Sequence, residues 1–304
     1  MNAPILIPTF DRISFLQDCV NSLRRNHLAS DTILVVSIDY SNLDQIKETQ
    51  ERMLKFLKKI SDFKHIEIIQ RDSNLGVPGN IIKSRQEIFE EFDSVICSED
   101  DNLFHPQFLD FINFYLNSSK DDPNIFSVCG YQYPNLNENR IINAMSLPFF
   151  SAWGYGVTKE KFSKLDYFMN DIDWISPLEL TKINNSIGDN FFFHYVNCLL
   201  KKMPAGDTSV LFHQYKYEMH SIFPSSSLVL NQGFRKYINS KSIIDSELAR
   251  QLGYGFKAMQ IAFNDSSFDY DTFRKVINFF KRDKVSKALI YMVYLLVMNR
   301  KINI

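Results

Sequence analysis

Between residues 5 and 129 the chain alternates short β-branched and aliphatic runs with longer stretches in which apolar residues recur every three or four positions. The runs at 5–7, 33–38, 66–70, 94–97 and 125–129 predict strands buried on both faces, the second reading Ile-Leu-Val-Val-Ser-Ile and the fourth Ser-Val-Ile-Cys. The stretches between them predict helices. Leu16, Cys19, Val20 and Leu23 follow Ser14 and Gln17, a capping-box pattern. Ile46, Met53, Leu57 and Ile60 mark a second helix, and Ile81, Ile82, Ile88, Phe89 and Phe92 a third. Pro106 opens a fourth through Phe108, Leu109, Ile112 and Leu116. Strand and helix in alternation predict an α/β fold: a parallel sheet covered by helices.

From 134 to 148 the sequence turns polar and Asn-rich, which reads as a long loop. Helical patterns resume at 159–169 and 189–202, and a loop-and-helix segment follows to about Gly233. The rest reads as mostly helical, which divides the chain into a main domain, 1–240, and a C-terminal helical extension, 241–304. The last helix, 284–301, carries an apolar run at 288–298 flanked by Lys284, Lys287, Arg300 and Lys301. That run is shorter than the ~20 residues a bilayer requires. It reads as a core or oligomer-contact helix, with a basic-flanked helix lying on a membrane surface as the rival.

Composition adds limits. With Lys+Arg 34 against Asp+Glu 35 in 304 residues, no global field attracts nucleic acid. Cys19, Cys97, Cys129 and Cys198 stand singly among apolar residues, the pattern of reduced core thiols rather than of a metal cluster or disulfide framework. The first strand begins within a few residues of Met1, which leaves no room for a leader and sets the expectation of a cytoplasmic protein.

In open α/β sheets, ligands bind beyond the carboxyl ends of the strands. Here those ends carry Pro8, Thr9, Asp11 and Arg12; then Asp39; then Arg71 and Asn74; then Glu99, Asp100 and Asp101. Three successive acids repel one another unless a cation or hydrogen-bond donors offset them. A hard cation, Mg2+ or Mn2+, shared with the phosphates of a nucleotide is one solution; a solvated acidic turn at a helix start is the other. Arg12 and Arg71 can neutralise phosphate oxygens, and Asp39 can accept hydrogen bonds from a base or ribose. Gly76 and Gly79, just before a predicted helix, permit close backbone approach to a ligand.

Pro4-Ile5-Leu6-Ile7-Pro8-Thr9-Phe10-Asp11-Arg12, Val36-Ser37-Ile38-Asp39, Asn74-Leu75-Gly76 and Ser98-Glu99-Asp100-Asp101-Asn102, with His105, Pro106 and Phe108, follow one another as in GT-A glycosyltransferases. The chain resembles those related to N-acetylglucosaminyltransferase I and to bacterial family 2-type sugar transferases, over roughly residues 4–235. The resemblance implies a Rossmann-like GT-A fold, with a mixed, mostly parallel sheet flanked by helices, and a nucleoside diphosphate sugar donor, UDP-linked. It implies a hydroxyl of a glycan or lipid-linked glycan as acceptor, inversion at the anomeric carbon, and a place in bacterial surface polysaccharide synthesis. Cytoplasmic residence, with peripheral contact at the inner membrane face through the last helix, agrees with that role.

Carried over by position, the resemblance makes Arg12 a donor contact, Asp39 the base-binding residue, and Asp101 the ligand of Mn2+ or Mg2+. Glu99 and Asp100 fall near sugar and ribose. The segment 150–157 resembles the aromatic-glycine stretch lining the sugar pocket, where Trp153 either stacks on a sugar or packs in the core. Inversion needs one carboxylate to take the acceptor's proton. Asp207 is preferred, because the tail 222–234 is similar to one following the catalytic segment in bacterial relatives; Asp189, opening an aromatic helix, is the alternative. His213 and His220 read as structural. Two rival functions remain: a sugar-phosphate nucleotidyltransferase, which expects glycines after strand one that Pro8-Thr9-Phe10-Asp11-Arg12 lacks, and a non-catalytic glycan-binding protein.

Overall fold

The computed structural model describes residues 2–133, 141–165, 175–187, 191–192, 195–196, 206–233, 256, 260–279 and 294. The five strands expected from the apolar runs all form: β1 (Ile5–Thr9), β2 (Ile33–Ile38), β3 (His65–Gln70), β4 (Ser94–Cys97) and, after the short β5 (Asn102–Phe104), β6 (Ile125–Cys129). Helices α1 (Ile13–Leu23), α2 (Asp44–Leu57), α3 (Gly76–Glu91) and α4 (Phe108–Ser118) fill the intervals. Further along come β7 (Ile141–Ile142), β8 (Ala144–Leu147), β9 (Tyr155–Thr158), α5 (Lys159–Ser163) and α6 (Pro177–Ile187). They are followed by α7 (Gly206–Lys216), β10 (His220–Pro224), β11 (Val229–Asn231), β12 (Gln260–Ile261), β13 (Ser267–Phe268) and α8 (Tyr270–Phe279).

Nine strands make one sheet in the order β13-β8-β10-β6-β9-β4-β1-β2-β3. The pairs β4/β1, β1/β2, β2/β3 and β10/β6 are parallel, while β9 lies antiparallel between β4 and β6, its Gly156 opposite Ile96 on one side and Val128 on the other. The architecture is therefore α/β with a mixed, mostly parallel sheet: the alternation of patterns predicts its parallel part, and the mixed character is what the resemblance implies.

Side-chain alternation along a strand puts successive residues on opposite faces, and both faces are covered. Ile5, Ile7, Leu34, Val36 and Ile96 join one buried cluster with Leu16, Val20 and Met53 of α1 and α2 and Phe108 and Ile112 of α4. Leu6, Val35, Val95 and Cys97 join the other with Ile88 and Phe89 of α3. Burial on both faces explains why the central strands read as continuous apolar runs.

Several expectations need correction. β3 is an edge strand with exposed alternate residues, not one buried on both faces. The Ser14/Gln17 capping box does not form: Arg12 occupies the N-cap, so Ser14 falls inside the helix. The 134–148 segment is not all loop, because β7 and β8 form within it; residues 134–140 lie outside the described part. Gly79 lies inside α3, and only Gly76, at φ +66°, marks its start. The C-terminal region contributes more than helix, since β13 completes the sheet edge beside β8.

Cys19, Cys97 and Cys129 are buried free thiols, as expected, and Cys198 lies outside the described residues. Of the last predicted helix only Tyr294 is described. It is fully buried, and its hydroxyl donates to the Ile175 carbonyl. Among the described residues no helix is long and apolar enough to cross a membrane.

Candidate functional site

The carboxyl ends of β1, β2 and β4 open onto a cavity of about 610 Å³. Its lining joins the polar Thr9, Asp11, Arg12, Asp39, Glu99, Asp100 and Asp101 to an apolar portion from Pro8, Phe10, Val77 and Ile81; Asn74, Gly76 and Asn80 complete it. The parallel register places these groups together: β1 and β2 end level, Thr9 opposite Ile38, while β4 ends at Cys97 opposite Leu6 and the triplet after it runs on to meet the end of β1, where Thr9 contacts Asp100. Nothing in the sequence marks Phe10, Val77 and Ile81 as cavity lining, because isolated apolar residues read as core.

Arg12, at the start of α1, spans two acids. Its Nη1 donates to Asp101 Oδ2 at 2.9 Å, and its Nη2 donates to Asp100 Oδ1. Thr9 Oγ1 donates to the other Asp100 oxygen at 2.7 Å. The carboxylates are buried, at 2% and 7% side-chain exposure, while the Arg12 side chain keeps 45%. Burial opposes the arginine's charge, but the two carboxylates outweigh it and raise its pKa. Burial also raises Asp100, with Thr9 and Arg12 pulling back without cancelling the effect.

A second set of contacts arrives from far along the chain. β11 pairs antiparallel with β5, setting Asn231 opposite Asn102. Asn231 Nδ2 lies 2.8 Å from Asp101 Oδ1, 3.0 Å from Asn102 Oδ1 and 3.3 Å from Glu99 Oε2. Gln232 donates its backbone N–H to the Asp101 carbonyl, and Gly233 donates its own to Asn231 Oδ1. A Cβ on Gly233 would stand 2.9 Å from Asp101 Oδ2, so only glycine lets the chain pass this close to the acid. Asn231 falls within the 222–234 pattern, but nothing in the local sequence marks it as a site residue.

Glu99 has the most perturbed environment of the triplet. Burial, then the charges of Asp101 and Asp207, push its pKa from 4.5 to about 8. The charge of Asp207, at the start of α7, acts on Glu99 across more than a hundred residues of sequence. Asp207 keeps contact with solvent, yet the surrounding protein raises its pKa to about 6, against the lowering a helix N-terminus normally gives.

A carboxyl whose pKa is raised in the fold holds a proton that the unfolded chain releases, so its contribution is fully present below about pH 4.5 and lost as pH climbs to about 8. Glu99→Gln is expected to remove that loss. The variant should exceed the wild type in stability at pH 8.5 by on the order of 3 kcal/mol and match it at pH 4.5. Urea midpoints at the two pH values measure the difference, and equal gaps at both would contradict the assignment.

The other candidates divide. Asp39 is buried and its Oδ1 accepts from the backbone N–H groups of Tyr40 and Leu75, which ties the β3–α3 loop to β2. Asn74 braces the same loop through the Tyr40 carbonyl and the Gly76 N–H. Arg71 does not join the cavity lining: it forks onto Glu87 at 2.8 Å for both contacts and also reaches Ser84 and Asn80, so its charge is spent holding α3 to the sheet. Trp153 is partly buried, with its ring 4.5 Å from that of Tyr131. His213 packs on Phe126 and Tyr217, and His220 Nδ1 lies 3.1 Å from Ser146 Oγ, both structural settings. Asp189 lies outside the described residues.

Among the described residues no group of three or more His, Cys, Asp or Glu side chains is placed to hold a metal ion. An all-protein cage is therefore not what these residues fit. Mg2+-type cations are commonly held by one or two carboxylates plus substrate phosphates, and Glu99 and Asp101, both lining the cavity, fit that shared mode.

No family model and no curated protein matches the chain. Among solved structures it is similar to the 1-349 fragment of S. aureus TarS, at 15% identity and TM-score 0.38, over 62% of this chain and 56% of that one. It thus spans little more than half of that fragment. It is also similar to the mannosyltransferase PcManGT from Pyrobaculum calidifontis in complex with GDP-Man and Mn2+, at 10% identity and TM-score 0.42, over 97% and 86% of the two chains. Mouse xyloside xylosyltransferase 1, apo form, is similar at 9% identity and TM-score 0.39, over 73% and 84%.

Proposed function

We propose that the chain is a GT-A-type glycosyltransferase that moves a sugar from a nucleoside diphosphate, UDP by preference, to a hydroxyl of a glycan or lipid-linked glycan. The observation that carries this reading is the cavity at the carboxyl ends of β1, β2 and β4, in which one arginine and a buried acidic cluster share a floor with Asp39 and an apolar patch. A nucleoside needs an apolar contact and a hydrogen-bond acceptor, which Phe10, Val77, Ile81 and Asp39 offer, while a diphosphate beside five carboxylates and one arginine needs the added charge of a divalent cation.

In this reading Phe10, Val77 and Ile81 contact the base, Asp39 accepts from base or ribose, and Arg12 meets the phosphates. Asp101, with Glu99 beside it, holds the Mn2+ or Mg2+, which when bound offsets charge on the departing diphosphate. The acceptor oxygen attacks the anomeric carbon as the carbon–oxygen bond to the diphosphate breaks, and Asp207 takes the hydroxyl proton. A carboxylate of pKa about 6 is suited to that exchange near neutral pH. A single displacement inverts the anomeric centre.

The test is a thermal-shift series with UDP, GDP, CMP and their sugars, with and without Mn2+. The fitting nucleotide at a hundred times its dissociation constant stabilises by about 2.7 kcal/mol, an upward shift of about 5 °C. The expected result is such a shift for one nucleoside diphosphate, larger with Mn2+. Glycan binding with no nucleotide response in either condition would replace this reading with that of a non-catalytic glycan-binding protein.

A further inference from the structure

Both Asp101 oxygens face donors of the protein: Arg12 Nη1 at Oδ2 and Asn231 Nδ2 at Oδ1, at 2.9 and 2.8 Å. The two donors differ in how firmly they are held. Asn231 is buried and fixed by its backbone in β11, opposite β5. Arg12 reaches in from the N-cap of α1 on a side chain that remains 45% exposed, and it lines the cavity as well as the acids. A cation that coordinates Asp101 and a guanidinium that occupies Oδ2 compete for the same lone pairs, and each carries the charge that offsets the other's loss.

We propose that Arg12 is a displaceable counter-ion of the acidic pair: an incoming diphosphate draws it from Asp101, a divalent cation takes its place, and cation and diphosphate therefore bind as a coupled pair. The inference rests on the reading of the cavity as a nucleoside diphosphate site and adds to it an order of occupation. Arg12 can leave because its Asp100 contact is backed by Thr9, which stays on the other oxygen of that acid. Coupling of this kind is reciprocal: a diphosphate that draws Arg12 away raises the affinity for the cation, and a cation that displaces Arg12 raises the affinity for the diphosphate by the same factor.

The test measures Mn2+ binding by the free-ion electron paramagnetic resonance signal, with and without UDP, on wild type, Arg12→Gln and Arg12→Lys. Arg12→Gln is expected to bind Mn2+ alone about tenfold more tightly than wild type, and to lose about the same factor from the mutual enhancement of Mn2+ and UDP. Arg12→Lys keeps the charge but cannot fork across two acids, and is expected to gain about threefold. Unchanged or weaker Mn2+ binding by Arg12→Gln, in a protein that still binds UDP, overturns the inference and leaves the reading of the cavity standing. A gain in Arg12→Gln with none in Arg12→Lys places the effect in the charge at residue 12, as a counter-ion requires, and supports the inference. If wild type binds no nucleoside diphosphate with or without Mn2+, the reading of the cavity fails, and the inference fails with it.

Discussion

Replacing Asp207 by Asn is expected to slow sugar transfer about a thousandfold while leaving the nucleotide dissociation constant unchanged. The amide keeps the shape of the side chain at the start of α7 and removes its ability to take a proton. Asp207 is not part of the cavity lining, so the donor should not register the change. Its raised pKa gives the wild type a signature: the rate should climb as pH rises through about 6, because only the ionised carboxylate accepts a proton. Initial rates from pH 5 to 8, with UDP affinity measured alongside, check both statements. Full activity in Asp207→Asn beside an inactive Asp189→Asn would move the proton-accepting role to Asp189.

The second large effect belongs to Asp101. Asp101→Asn is expected to lower transfer by a factor of about a hundred to a thousand and to weaken Mn2+-dependent UDP binding by at least about tenfold. A neutral amide is a poor ligand for a hard cation, and it leaves Arg12 with Asp100 alone. The substitution preserves volume in a crowded place, between the Arg12 fork, Asn231 and the close approach of Gly233. Thermal denaturation and Mn2+ titration together separate a lost ligand from a damaged fold. A folded variant that transfers sugar at the wild-type rate after metal depletion would show that the triplet works without a cation.

The parts of the fold that could be read from sequence are those set by local pattern. β1, β2, β4 and β6 are buried on both faces, and burial of that kind requires continuous apolar runs, which are visible without a structure. β9 was not visible: Tyr-Gly-Val-Thr is too short and too mixed to announce a strand, and its place between β4 and β6 is decided by partners rather than by its own residues. The same division runs through the site. Thr9, Arg12, Asp39 and the triplet stand out because polar residues directly follow buried strands. Asn231 does not, because its partner Asp101 is 130 positions away. Arg71 misled for the opposite reason: its neighbours are polar in sequence, but its charge is taken by Glu87, sixteen residues on along α3.

The place of β9 also bears on how the molecule is assembled. Four strands, β3-β2-β1-β4, form one half of the sheet and β6-β10-β8-β13 the other, and among the described residues the strand that joins the halves within the sheet is β9, four residues long and entered at residue 155. A chain emerging in order from the ribosome therefore completes its first half with the free edge of β4 exposed, an edge open to pairing with other chains until β9 covers it. Joining strands so distant in sequence closes large loops and slows folding. Truncation before residue 155 leaves that edge permanently open, and such fragments are expected to aggregate rather than persist as a half-domain.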